Sequence, residues 1–114
     1  MRITNRTRET LLASDAHEAQ SFTARLVGLL GRSSLAPGEA LVLDPCTSVH
    51  TAFMRFPIDV VYVNRDGQVI KVVPEMKPFR ASAAGSMRCS VIELPSGTAA
   101  ATRTVAGDQL EIER

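Results

Sequence analysis

Residues 46–59, CTSVHTAFMRFPID, set a thiol, an imidazole, hydroxyls, a guanidinium and a carboxylate among apolar side chains. Cys46 and His50 are the residue types of a nucleophile and its base, since a neighbouring imidazole can lower a thiol pKa from about 8.5. Such partners usually meet through the fold, not at a spacing of four in the sequence. The same residues therefore read equally as a small buried cysteine and a histidine bonding a loop. His50 could alternatively serve as a general acid or base. Arg55 carries a planar fork suited to carboxylate or phosphate. Its bland alternative is an ion pair with Asp59 or Glu93 that fixes the bend at Phe56-Pro57. Pro57 drives Phe56 into an extended conformation, so a bend is expected there.

Further along, KPFRAS (77–82) places Lys77 and Arg80 beside Pro78 and Phe79. These two cations read either as the mouth of an anion pocket or as a solvated loop. Paired acids and bases are scarce, which favours binding over catalysis. The expected ligand-binding set is His50, Thr51, Arg55, Asp59 and Arg80, with Cys46 and His50 as the catalytic alternates. Met54 reads as packing, and Asp108 as a backbone cap in a Gly-Asp turn.

Composition narrows the partners. The formal net charge is +1 and Trp is absent, so neither an electrostatic footprint nor a stacking platform for nucleic acid is expected. No apolar run approaches the roughly 20 residues of a membrane helix, and MRITNRTRETLLA has no hydrophobic signal segment. The reading is a cytoplasmic protein with Cys46 and Cys89 as free thiols. Two cysteines and two histidines without CxxC or HxxxH spacing make no metal site. No nucleotide, triad or metalloprotease motif is present, so no cofactor is expected. The ligand or partner and the oligomeric state stay open.

The elements that must position these residues are mostly strands. A length of 114 residues fits one domain spanning 1–114. Phe22, Leu26, Leu29 and Leu30 fall on one helical face, with Gly31 after them, which predicts one helix over Ala19–Leu30. Arg2–Thr7 reads as an edge strand and ETLLASDA as a second strand ending in a Ser-Asp turn. After residue 40 the chain reads as strands: ALVLD, HTAFM, IDVVYV, QVIKVV, SVIELP, TRTV and QLEIE. The expected class is mainly β, a β-rich α+β fold. It should form a small, mostly antiparallel, barrel-like sheet with one helix in the N-terminal half.

The hairpin at Asn64–Gly67 admits two registers. A two-residue turn sets Val61 opposite Val72. A three-residue loop bulged at Gly67 sets Asn64 opposite Gln68 and Tyr62 opposite Ile70. The second gathers Ile58, Val60, Tyr62, Ile70 and Val72 on one apolar face and leaves Asp59 near Lys71 on the other, half-covered face. It is the register the hydrophobic pattern favours.

Taken together, HTAFMRFPIDVV with its Asp-Gly hairpin, KPFR, ELPSG and VAGDQLEI resemble the bacterial and archaeal family of domain of unknown function 192. The resemblance runs from about Thr7 to Ile112. It implies a compact β-rich barrel with a helix near the N-terminus, and motif positions at Cys46, His50, Thr51, Met54, Arg55, Pro57, Asp59, Glu93 and Gly97. No activity comes with it. The functional expectation is a non-catalytic binding module for a small anionic ligand or a peptide partner. The alternatives are a small hydrolase or transferase using Cys46 or His50, and an assembly component that pairs through an exposed β edge.

Overall fold

The computed structural model describes residues 1–19, 34–46, 48–51, 54–84 and 88–114. From residue 20 onward the helix expected over Ala19–Leu30 lies outside them. Among the described residues ten strands form three sheets. The strands are β1 (Arg2–Asn5), β2 (Thr10–Ala13), β3 (Asp15–Glu18), β4 (Glu39–Leu43), β5 (Ser48–His50), β6 (Ile58–Asn64), β7 (Val69–Met76), β8 (Ala81–Ala83), β9 (Cys89–Pro95) and β10 (Leu110–Glu113). The central sheet runs β3-β4-β9-β6-β7, a second runs β10-β1-β2, and β5 pairs with β8 as a ribbon. The fold is mainly β and mostly antiparallel, as expected. The sheets do not close into one barrel, and β3 lies parallel to β4. No helix among the described residues is long and apolar enough to cross a membrane.

Strand β6 explains the layering. Every residue of Ile58–Val63 is buried, because alternate side chains enter two different cores. Ile58, Val60 and Tyr62 pack with Val49, Met54, Phe56, Met76, Cys89 and Val91 on one face. On the other, Val61 and Val63 pack with Ile3, Leu12, Ala13, Ile92, Leu94 and Leu110. The face expected to be half covered is thus sealed by the three-stranded sheet. β1 is the middle strand of that sheet, not an edge, because β10 and β2 flank it.

The hairpin register is a composite. Asn64 N–H donates to Gln68 O at 2.9 Å and Gly67 adopts φ 82°, the expected bulged loop. A Cβ on Gly67 would stand 2.6 Å from Leu110 O, so both the φ and the close approach require glycine. One step later Val63 faces Val69, but Tyr62 faces Lys71 and Val61 faces Val72. Ile70 is the extra residue of a β-bulge, which returns the ladder to the other candidate register. The expected Tyr62–Ile70 pair is therefore absent, and Val73, not Val72, packs in the core of Tyr62. Lys71 does not approach Asp59 as expected. Its ammonium lies 5.9 Å from the Tyr62 ring centroid and donates to Ala83 O, a cation–π placement.

Two segments depart from the strand reading. TRTV (102–105) forms turns, and before it Thr98–Ala101 makes one helical turn after Gly97, which has φ 94°. In HTAFM, β5 ends at His50 and neither Thr51 nor Met54 is in a strand, while Ala52 and Phe53 lie outside the described residues.

The Gly-Asp turn holds a buried polar knot. Asp108 Oδ2 accepts from Asn5 Nδ2 at 3.0 Å, Val105 N–H at 3.1 Å and Arg8 Nε at 3.2 Å. Burial alone would raise the Asp108 carboxyl, but Asn5, Val105 and Arg8 outweigh it and hold the group below its ordinary value. The folded state thus binds fewer protons than the unfolded chain near that value, so stability rises with pH there. The contribution is complete above the ordinary carboxylate range and is lost as pH falls through the depressed pKa. Urea midpoints between about pH 2 and 5 should show a decline that is shallower in Asp108→Asn. Parallel profiles for the two proteins would show that Asp108 is not the group responsible.

Candidate functional site

Thr51 follows directly on β5 and is fully buried. Its neighbours in β5 anchor the ribbon, with Val49 opposite Ser82 and His50 opposite Ala81. Met54 N–H donates back to Thr51 O at 3.2 Å. The loop between β7 and β8 closes on the same residue. Thr51 N–H donates to Arg80 O at 2.8 Å, and Phe79 N–H donates to Thr51 O at 3.0 Å. The Thr51 hydroxyl donates to Lys77 O at 2.6 Å and accepts from Arg80 N–H at 2.9 Å. One threonine therefore uses its amide, carbonyl and hydroxyl to clasp the four-residue loop 77–80.

The clasp sets what the loop shows. Phe79 has φ 60°, a left-handed conformation unusual for a bulky residue. Its side chain is 65% exposed. Lys77 and Arg80 beside it are exposed as well, and the Arg80 guanidinium donates to the Phe79 carbonyl at 3.3 Å. Arg55, which follows Met54, is exposed. Of Asp59 and Glu93, the two acids expected as its ion-pair partner, Asp59 is engaged by the Glu75 and Ala99 amides instead.

The expected binding set divides. His50, Thr51 and Arg80 come together through the ribbon and the clasp, and Arg55 stands next to them in the chain. Asp59 lies on the opposite face of the central sheet, beside Leu94. It is fully buried, with Oδ1 accepting from Glu75 N–H at 2.8 Å and Oδ2 from Ala99 N–H at 2.7 Å. Its position follows from a second bulge in β7. Ile58 faces Met76 and Val60 faces Val73, so Pro74 and Glu75 together oppose Asp59. Pro74 has no N–H and Glu75 has φ 50°; the Asp59 carboxylate accepts the amide that the ladder loses.

Cys46 is half-buried and its thiol donates to Ser48 O at 3.0 Å, not to His50. Cys89 is buried, and its thiol donates to Cys46 O at 2.9 Å. Near them lie Tyr62 OH and Ser82 Oγ, two buried polar atoms close enough for Ser82 to act on the phenol. Burial pushes the Tyr62 phenol up from its ordinary value. Tyr62 and the fully buried Glu93 are polar core members on the face of Val60 and Val91. Strand pairing sets Glu93 opposite Val60 and Leu41.

A separate open groove of about 670 Å³ runs past the hairpin tip, the start of β9 and the C-terminal strand. Arg65, Arg88 and Arg114 line it together with Asp44 and Asp66. Asn64 pairs with Cys89 at the end of the ladder, so Arg65 and Arg88 are the next positions across from each other. Arg114 is ion-paired with Glu18.

The family described as an uncharacterised ACR, domain of unknown function 192, has a sequence pattern that matches residues 3–112. No curated protein matches the chain. One similar solved structure is a protein of unknown function from Novosphingobium aromaticivorans, 19% identical with a TM-score of 0.79, covering 97% of this chain and 82% of that one. Another is from Sinorhizobium meliloti, a protein whose name proposes a transcription regulator. It is 20% identical with a TM-score of 0.80, covering 96% of this chain and 89% of that one. Likeness at these identities establishes a shared fold. Because the family pattern extends over nearly the whole length, the chain belongs to the family of domain of unknown function 192.

Proposed function

We propose that this protein is a non-catalytic binding module that takes a small anionic ligand on the rim held by Thr51. The observation that carries the reading is the presentation of Phe79. An aromatic residue is held in a left-handed conformation and 65% exposed, between the exposed cations Lys77 and Arg80. Backbone strain of this kind, about 1–3 kcal/mol, persists where the surrounding structure enforces it, and it concentrates at ligand-contacting segments. Here the clasp enforces it. An exposed ring flanked by cations offers an apolar contact and a charge partner to one planar anion. The thiol of Cys46 is directed to a backbone carbonyl, which favours this reading over nucleophilic catalysis.

A panel of aromatic and short-chain carboxylates plus inorganic phosphate, scored by thermal shift, tests the proposal. A ligand at 100 times its Kd should stabilise the fold by about 2.7 kcal/mol. Arg80→Ala and Phe79→Ala should each weaken that ligand about tenfold, while Arg88→Ala in the separate groove should leave it unchanged. A ligand lost with Arg88→Ala and retained with Arg80→Ala would move the site to the groove. No response from any anion would end the reading.

A further inference from the structure

Cys46 and Cys89 lie 43 residues apart in the chain yet are joined twice. Cys46 N–H donates to Cys89 O at 2.9 Å, and the Cys89 thiol donates to Cys46 O at 2.9 Å. This backbone bond sets the two residues side by side, the juxtaposition a disulfide requires, since it spans about 4.4–6.8 Å at Cα. Both side chains turn into the same core: Cys89 is a member of it and Cys46 packs against it. Each thiol rests on a carbonyl, Cys46 on Ser48 O and Cys89 on Cys46 O, and Cys46 is near enough to act on the Cys89 thiol.

We infer that Cys46 and Cys89 are a redox-convertible dithiol, closed into an intramolecular disulfide by a small external disulfide of the glutathione class. This assignment is independent of the anion-binding reading. The two cysteines are not equivalent. Cys89 is 3% exposed and Cys46 is half-buried, so an external disulfide reaches Cys46 first. Burial, and then the neighbouring Cys46, push the Cys89 thiol up, so Cys89 is the poorer first attacker and reacts only after Cys46.

In the first step the Cys46 thiol loses its proton and attacks one sulfur of the external disulfide. The external S–S bond breaks, one small thiol leaves with that proton, and a mixed disulfide remains on Cys46. In the second step the Cys89 thiol loses its proton and attacks Cys46 Sγ. The mixed S–S bond breaks and the second small thiol leaves. The protein is oxidised by two electrons, and the external disulfide is reduced to two thiols. The product pins the segment leading into β5, and with it the approach to Thr51, to the first residue of β9.

The test is incubation of the whole folded protein with oxidised glutathione, then iodoacetamide alkylation, intact mass and peptide mapping. The expected wild-type product has lost two hydrogens, carries no glutathione, takes up no alkyl group and yields a Cys46–Cys89 linked peptide within one chain. Cys89→Ser should instead stop with one glutathione on Cys46. Three wild-type results would overturn the inference: a lasting glutathione adduct on Cys46 with Cys89 still alkylatable, a disulfide between two chains, or two unreacted thiols after equilibration. The wild-type map decides the matter even if the serine variant folds poorly.

Discussion

Replacing Asp59 with alanine is expected to destabilise the fold by about 3–5 kcal/mol. The change strips the acceptor from two backbone amides, Glu75 N–H and Ala99 N–H, whose bonds are 2.8 and 2.7 Å long. A buried donor left without an acceptor costs about 1–3 kcal/mol, and the lost carboxylate also vacates a fully enclosed position. The two amides belong to different parts of the fold. One sits in the left-handed bulge of β7 and the other in the short helix Thr98–Ala101, so Asp59 ties the central sheet to both. Asp59→Asn keeps the volume and one oxygen but turns an N–H₂ toward the other amide, and should lose about half as much. Urea unfolding checks this through a lower midpoint at unchanged slope. Were Asp59→Ala to cost less than about 1 kcal/mol, the carboxylate would not be the tie described.

The second large effect is expected at Thr51. Thr51→Val preserves shape and removes the hydroxyl, leaving Arg80 N–H without its acceptor and Lys77 O without its donor. A loss of about 2–4 kcal/mol follows if the fold keeps its geometry. The more informative outcome is local. The backbone bonds of Thr51 to Phe79 and Arg80 remain, so the 77–80 loop stays attached but loses the hydroxyl that fixes its turn. Hydrogen exchange at Phe79 and Arg80 should accelerate at least tenfold, while amides of the β6–β9 ladder slow or quicken only with global stability. Thr51→Ser, which restores the hydroxyl, should recover most of both effects. Uniform acceleration across the whole chain would instead make Thr51 an ordinary core residue.

These two residues also mark the limit of what the sequence disclosed. The β-rich class, the bulged loop at Gly67 and most strand positions follow from local patterning and turn chemistry. The faces of β6 followed as well: Ile58, Val60 and Tyr62 do share a core. The partner strand did not follow, because β7 carries two bulges and each displaces the pairing by one residue. Pro74 was the available signal, since proline inside a strand marks an edge or a bulge. The helix Thr98–Ala101 was not foreseen, although its three alanines, the strongest helix former, were the signal. Asp59 was grouped with Arg55 because the two are close in the chain. Their side chains part because the intervening residues pass through Phe56-Pro57 into a strand whose alternate members face opposite cores. The Thr51 clasp rests on bonds spanning 26 and 29 residues, which no spacing rule anticipates.

The same bulges bear on how copies of this chain can meet. The five-stranded sheet ends in β3 on one side and β7 on the other. A straight, unguarded margin would invite a second molecule to template onto it and polymerise. β7 presents a margin twice kinked, missing one amide at Pro74 and studded with Lys71 and Glu75. β3 spans only Asp15–Glu18, with Asp15, His17 and Glu18 exposed. Neither rim gives an incoming strand a continuous rail of hydrogen-bonding groups. Strand addition is thus disfavoured at both margins of the five-stranded sheet.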